Sequence, residues 1–269
     1  MKDFDDEIDR ICNFIKEHLA KTKSNGVVIA LSGGLDCSVV AALSAKAIGK
    51  ENVHCYFLQY NFASLDIAKQ HVDLLCKKFR LTYEENRFVT KSSKTSSLNR
   101  TIQHVANTVP TVIMNNNNLS MVFSNINAAK IARHLRKKAN EHNCLISGTT
   151  NRSEWLIGYF TKFDECGCDL QPILHLYKTE IVELAKHLGI PNEIIKRIPS
   201  FDLWYRRTNE NETGLTYQKL DKILKGLNKI SSDPCEYKIN GATKKEVSKI
   251  IDMIKRTKHK RELPPCLKI

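Results

Sequence analysis

Residues Gly26 to Val40 read GVVIALSGGLDCSVV, and this stretch decides the fold. Its apolar run, Val27 to Leu31, has the length of a buried strand. Ser32, Gly33 and Gly34 follow at once, then Asp36, Cys37 and Ser38. A second apolar run begins at Val39 and predicts a helix with Val40, Leu43, Ala47 and Ile48 on one face. Strand, glycine turn and helix aim backbone N–H groups and a helix N-terminus at an anion. The glycines let the backbone approach phosphate oxygens closely. Ser32 and Ser38 add hydroxyl donors, and Asp36 is suited to a magnesium ion that neutralises phosphate charge. No Gly-Lys-Ser/Thr follows, so the stretch is not the ATPase P-loop.

Outward from this loop the chain alternates. Phe4, Ile8, Ile11, Ile15 and Leu19 recur at helical spacing before the first strand. Asn52 to Leu58, containing VHCYFL, predicts a second strand; Leu65 to Phe79 predicts a helix, and Thr82 to Phe88 a third strand. A polar stretch, Lys91 to Ser120, with SSKTSS and an asparagine run at Asn115 to Asn118, predicts a lid-like connection. Asn125 to Asn140 predicts a helix and Cys144 to Ser147 a fourth strand, followed directly by GTTNRSEWLIGYFTKF, Gly148 to Phe163. Strands alternating with helices imply right-handed crossovers and a doubly wound parallel sheet flanked by helices. Ligands on such sheets lie beyond the carboxyl ends of the strands, where the glycine loop sits.

The second half supplies more polar groups. Glu154 falls in the first turns of a helix opened by GTTN, where a carboxylate serves as an ordinary cap in any protein. An acidic loop, DECGCD at Asp164 to Asp169, precedes QPILHLYKTEIVELAKHLGI, whose helix spans Thr179 to Leu188 and is ended by Gly189 and Pro191. Lys178 stands just before that helix, facing either a site or water. A polar loop at 199–214 carries Trp204, and residues 215–230 and 243–258 predict closing helices. The whole of 1–269 is expected to form one α/β domain with a helical carboxy-terminal part.

Composition narrows the class. The chain has 269 residues, 42% hydrophobic, ample for a sizeable core. No stretch approaches about 18 unbroken apolar residues, and the acidic start MKDFDDEIDR is unlike a signal peptide. Both features, with nine cysteines lacking a zinc pattern, lead us to expect a cytoplasmic protein with reduced thiols. The formal charge of +13 suits an anionic partner, nucleotide or nucleic acid, without choosing between them.

Taken in order, SGGLD, GTTNRSEWLIGYFTKF, PILHLYKTEIVELAKHLGIP, PSFDLW and KRELPP resemble the ammonia-dependent NAD synthetases. The first of these alone resembles the pyrophosphate loop, SGGxDS, of enzymes that split ATP into AMP and pyrophosphate. The resemblance implies an adenine nucleotide alpha hydrolase-like, Rossmann-like fold and a homodimer. It implies that the carboxylate of deamido-NAD attacks the α-phosphate of ATP, after which ammonia displaces AMP. By resemblance Ser32, Gly33, Gly34, Asp36, Cys37, Ser38, Thr149, Lys178 and Ser200 contact ATP. Asp36 and Glu154 hold magnesium, and Lys162, Glu165, Asp169, Asp202 and Thr208 lie toward the other substrate. Asp36, Lys178 and Glu165 would carry the catalysis.

The chain departs from the family pattern at specific places. Cys37 replaces the final serine of SGGxDS, a weak donor for a good one. DECG replaces the usual GDGG, putting Glu165 where an aspartate is usual. The helix before GTTN usually carries an ARxR element, and in register its arginines fall on Ala129 and Ile131. The lid reads YRRTNE, adding Arg206 and Arg207. Rival readings are a ligase adenylating a different carboxylate, a tRNA-modifying ATP pyrophosphatase, and a degraded paralogue acting through its surface. GTTNRSEW and PSFDLW speak against nucleic acid, and Asp36, Glu154 and Lys178 against degradation. A separate glutaminase as the source of ammonia stays open.

Overall fold

A computed structural model describes residues 3–59, 65–87, 117–163, 167–197, 213–228 and 239–267. Its centre is a parallel sheet of β1 (Gly26–Ala30), β2 (Val53–Gln59), β3 (Tyr83–Arg87) and β4 (Cys144–Ile146), in the order β3-β2-β1-β4. The register sets Val28 against His54 on one side and Ile146 on the other. β2 and β3 run off one edge of β1 and β4 lies on the other. The switch in strand order therefore falls between β1 and β4, where such sheets hold ligands at their carboxyl ends.

Alternation along the strands sends side chains to separate layers. Val27, Ile29, Val53, Cys55 and Phe57 join the cluster built with α1 (Phe4–Thr22), α2 (Leu35–Ile48), α3 (Leu65–Phe79) and α6 (Lys178–His187). Val28, Tyr56 and Ile146 face α4 (Asn117–His142) through Leu135 and Ala139. A further cluster joins α5 (Arg152–Ile157) to α8 (Tyr217–Asn228) and α9 (Lys244–Arg256). α7 (Asn192–Ile195) is a single short turn after α6. Helices cover both faces of the sheet, as the alternation predicts.

α1 shows how the sequence closes its own ends. The Asp3 carboxylate accepts from the Asp5 and Asp6 N–H groups, and acids fill the first turn, where the helix dipole favours them. Ile8, Ile11, Ile15 and Leu19 form the buried stripe. At the other end of the chain, Thr243 and Glu246 close a capping box on α9.

Two helix starts differ from the sequence reading by more than two residues. α2 starts at Leu35 rather than Val39, so Asp36, Cys37 and Ser38 form its first turn. The polar letters hide this because the helix is buried nearly all round: Leu35, Cys37, Ser38, Val39, Val40, Ala41, Ala42 and Leu43 are all inside. Fully burying one valine or leucine stabilises by about 1.5–3 kcal/mol, so α2 holds the loop before it firmly. α4 begins at Asn117, so Asn117 to Ser120 belong to a helix rather than to the polar connection; weak asparagine propensity is overridden by the packed half of the helix. The rest of that predicted connection, 91–116, lies outside the described residues.

Candidate active site

The loop after β1 is built by its neighbours as much as by its own letters. Gly33 has φ +72°, and a Cβ there would meet the Ala68 carbonyl oxygen at 2.5 Å, so only glycine fits beneath α3. The Gly33 carbonyl accepts from Arg197 Nη1 at 3.0 Å and from His71 Nδ1 at 3.1 Å. The Gly34 carbonyl accepts from Ser38 Oγ at 2.7 Å and from Cys37 Sγ at 3.2 Å. Ser32 Oγ takes the Gly34 N–H at 3.2 Å and lies 3.4 Å from Cys37 Sγ. With the carbonyls engaged by protein donors, the first-turn N–H groups of α2, which have no intrahelical partner, are the groups suited to an anion. Ser38 is buried and its hydroxyl proton is committed to Gly34.

A second turn, after β4, supplies the facing wall. Ser147 continues β4 by pairing with Leu170, and Gly148, Thr149 and Thr150 follow, with Thr149 half-buried. Asn151 is fully buried and caps α5: its Oδ1 accepts from the Glu154 N–H at 3.0 Å while Glu154 Oε2 accepts from the Asn151 N–H at 3.3 Å. The other end of the Asn151 amide, Nδ2, donates to Asp36 Oδ1 at 3.4 Å. The two turns on either side of the switch point thus meet at Asp36.

Lys178 closes the constellation. It is the first residue of α6, its side chain only 5% exposed, and Nζ is ion-paired with Asp36 Oδ2. Burial works hardest against this ammonium, but the carboxylates of Asp36 and Glu154 outweigh it and raise its pKa above the ordinary lysine value. Lys178 is therefore a fixed positive charge in this environment. The sequence left open whether it faced water; the structure turns it inward.

The remaining predicted positions separate. Lys162 Nζ donates to the His259 carbonyl at 2.5 Å, and Asp169 Oδ2 accepts from the Ile146 N–H at 2.7 Å, closing the end of β4. Ala129 is exposed on α4, whereas Ile131 packs against the cluster of Val28, Tyr56 and Ile146. Glu165, Ser200, Asp202 and Thr208, like Arg206 and Arg207, lie outside the described residues. Sequence reasoning did not single out Asn151, Arg197, His71, Ser153 or Asp221. Ser153 Oγ donates to Asp221 Oδ1 and accepts the Lys178 N–H at 2.9 Å. Asp221 was legible: it interrupts an i, i+3, i+4, i+7 stripe of Tyr217, Leu220 and Leu224.

Comparison with known proteins identifies the family of the chain. The model of the family described as NAD synthase matches residues 7–264. The chain is 34% identical to the NH(3)-dependent NAD(+) synthetase of Methanocaldococcus jannaschii, over 97% of this chain and 96% of that protein. Among solved structures it resembles the NH3-dependent NAD synthetase of Campylobacter jejuni, solved with a nitrate ion, at 25% identity, TM-score 0.74 and full coverage of both chains. The NMN synthetase of Francisella tularensis, at 24% identity and full coverage of both chains, shares the fold with a TM-score of 0.79. The chain belongs to the NAD synthase family.

Proposed function

We propose that this member of the NAD synthase family is an ammonia-dependent NAD synthetase, an ATP-consuming ligase that amidates deamido-NAD. The observation that carries the reading is the meeting of Asp36, Asn151 and Lys178 at the switch between β1 and β4. The named activity of relatives matching nearly the whole chain supports it.

In the first step a nicotinate carboxylate oxygen bonds to the α-phosphorus of ATP. The bond from that phosphorus to the bridging oxygen breaks, and pyrophosphate leaves with the electron pair. In the second, the ammonia lone pair attacks the acyl carbon, the bond to AMP breaks, and a proton is released as the amide forms. Neither step needs a protein nucleophile; both need positioning and charge stabilisation. Ser32, Gly33, Gly34 and the first-turn amides of α2 receive the departing pyrophosphate, with Thr149, Cys37 and Ser38 shaping the walls. Because Lys178 stays protonated, it acts as a fixed charge on the transferring phosphoryl group and not as a base.

Magnesium fits the donor set. Asp36 and Glu154 both act electrostatically on the Lys178 ammonium, so two carboxylates with hard oxygen donors belong to this end of the site. Magnesium characteristically takes one or two carboxylates and completes its shell with phosphates and water. The described residues hold no group of three or more potential ligands. Asp36 and Glu154 would hold the ion, and it would supply neutralisation of phosphate charge.

On the acceptor side we assign Lys162, Glu165, Asp169, Asp202 and Thr208, with Ser200 toward ATP. The apolar packing of Ile131 favours a second reading, a ligase for a smaller carboxylate than deamido-NAD. A homodimer and a cytoplasmic location are further expectations of the same reading; among the described residues no helix is long and apolar enough to cross a membrane. Oxygen-18 in the deamido-NAD carboxylate tests the chemistry. The adenylate route puts one labelled oxygen into AMP. Label in pyrophosphate, or in neither product, would refute it.

A further inference from the structure

α6 is closed by its own residues only in part: Glu180 Oε2 accepts the Tyr177 N–H at 2.9 Å. Tyr177 precedes it and provides no side-chain acceptor for the first N–H groups, which leaves the helix end that carries Lys178 to be satisfied from elsewhere. Ser153 Oγ on α5 accepts the Lys178 N–H at 2.9 Å, and Asp221 Oδ2 on α8 accepts the Thr179 N–H at 2.8 Å. Asp221 Oδ1 also receives the Ser153 hydroxyl proton, so one carboxylate holds both capping groups in place. Asp221 is 2% exposed, and its negative charge sits at the positive end of the α6 dipole.

The contacts repeat along one stripe of α8. Tyr217, Asp221 and Lys225 are spaced one turn apart and share a face. The Tyr217 ring lies 5.7 Å from Lys178 Nζ, Asp221 holds the Thr179 N–H, and Lys225 Nζ donates to Glu180 Oε1 at 2.9 Å. Three successive residues of the α6 start are each met by one turn of α8. We propose that Asp221, through Ser153, is the positioning residue that sets the aim of Lys178, so that the carboxy-terminal helices act on phosphoryl transfer without touching substrate. The proposal rests on the phosphate-facing reading of Lys178.

The geometry specifies how an asparagine would fail. With its oxygen toward Thr179, the amide NH2 faces Ser153 Oγ, which already accepts from Lys178 and then loses the acceptor for its own proton. With the amide reversed, NH2 meets the Thr179 N–H, donor against donor. One buried donor is left without its acceptor either way, the Ser153 hydroxyl in the first case and the Thr179 N–H in the second, while shape and volume are kept. Burial holds the Asp221 carboxyl above its ordinary pKa, a strain that the neutral amide removes, so folding stability is expected to survive the change.

Steady-state pyrophosphate release and thermal unfolding should be measured on full-length Asp221→Asn, Ser153→Ala, the double variant, Ile223→Val and Lys178→Ala. We expect kcat to fall roughly tenfold to a hundredfold in Asp221→Asn and Ser153→Ala, with KM for ATP little changed. The double variant should be no worse than the poorer single one, because both break one relay. Ile223→Val, a core truncation in the same helix, should lower the unfolding midpoint and leave kcat alone. Full turnover in Asp221→Asn, a kcat loss matched by Ile223→Val at equal loss of stability, or additive losses in the double variant would each overturn the relay. Full turnover in Lys178→Ala would instead remove the reading of the lysine on which it rests.

Discussion

The two sides of the switch point use their polar residues differently. On the ATP side, Asp36, Asn151 and Lys178 come from α2, the turn before α5 and the start of α6, and meet in one buried constellation. On the acceptor side the described candidates are committed to the frame: Lys162 to the His259 carbonyl, Asp169 to the Ile146 N–H, Ile131 to the sheet. On the first side the charges are paired with one another, Lys178 with Asp36, and on the second they are paired with backbone groups that hold the walls. On the proposed function, this difference means that nucleotide chemistry and acceptor selection rest on separate parts of the chain and can be perturbed separately.

The largest effect should come from the ATP side. Asp36→Asn and Glu154→Gln are each expected to lower pyrophosphate release on the order of a thousandfold or more, read by a coupled phosphate assay. Asp36→Ala should also destabilise, because stranding the buried Lys178 ammonium costs about 3–5 kcal/mol, visible in chemical denaturation. Near-normal release in either conservative variant would break the comparison at its stronger end.

A smaller effect is expected across the divide. Ala129 is exposed on α4, so an arginine can be added there without entering the core. Ala129→Arg should lower KM for deamido-NAD, by about tenfold at most, and leave KM for ATP unchanged, since one charge-assisted bond contributes about 1.5–3 kcal/mol before its ordering cost. A change in KM for ATP of equal size would mean that the two sides are not separable. The smallest effect belongs to the loop itself. Cys37→Ser exchanges contacts of 3.2–3.4 Å for those of a better donor, and activity should rise by less than about tenfold. Complete loss would point to thiol chemistry.

The ATP side was also the legible side. A strand, Ser-Gly-Gly and a second apolar run are local signals, and the alternation of periods laid out the sheet. The helix start at Leu35 escaped because polar residues in a buried first turn break the apolar pattern, although their hydroxyl and thiol groups are satisfied inside the loop. Asn151 and Arg197 could not be read, since their roles depend on partners 115 and 164 residues away in the chain. The acceptor side gave family motifs but little local physics. Lys162 and Asp169 carry ordinary charges whose partners are backbone groups brought near only by the fold.

On the proposed function, this site couples ATP cleavage to a carboxylate presented by deamido-NAD. Pyrophosphate release should therefore be followed with ATP, magnesium and ammonium while the carboxylate is varied over deamido-NAD, nicotinate mononucleotide and nicotinate. Release should depend strictly on added carboxylate, with deamido-NAD giving the highest kcat/KM and one NAD formed for each pyrophosphate. Release that ignores deamido-NAD while responding to a smaller carboxylate, or that proceeds with no carboxylate at all, would contradict this coupling.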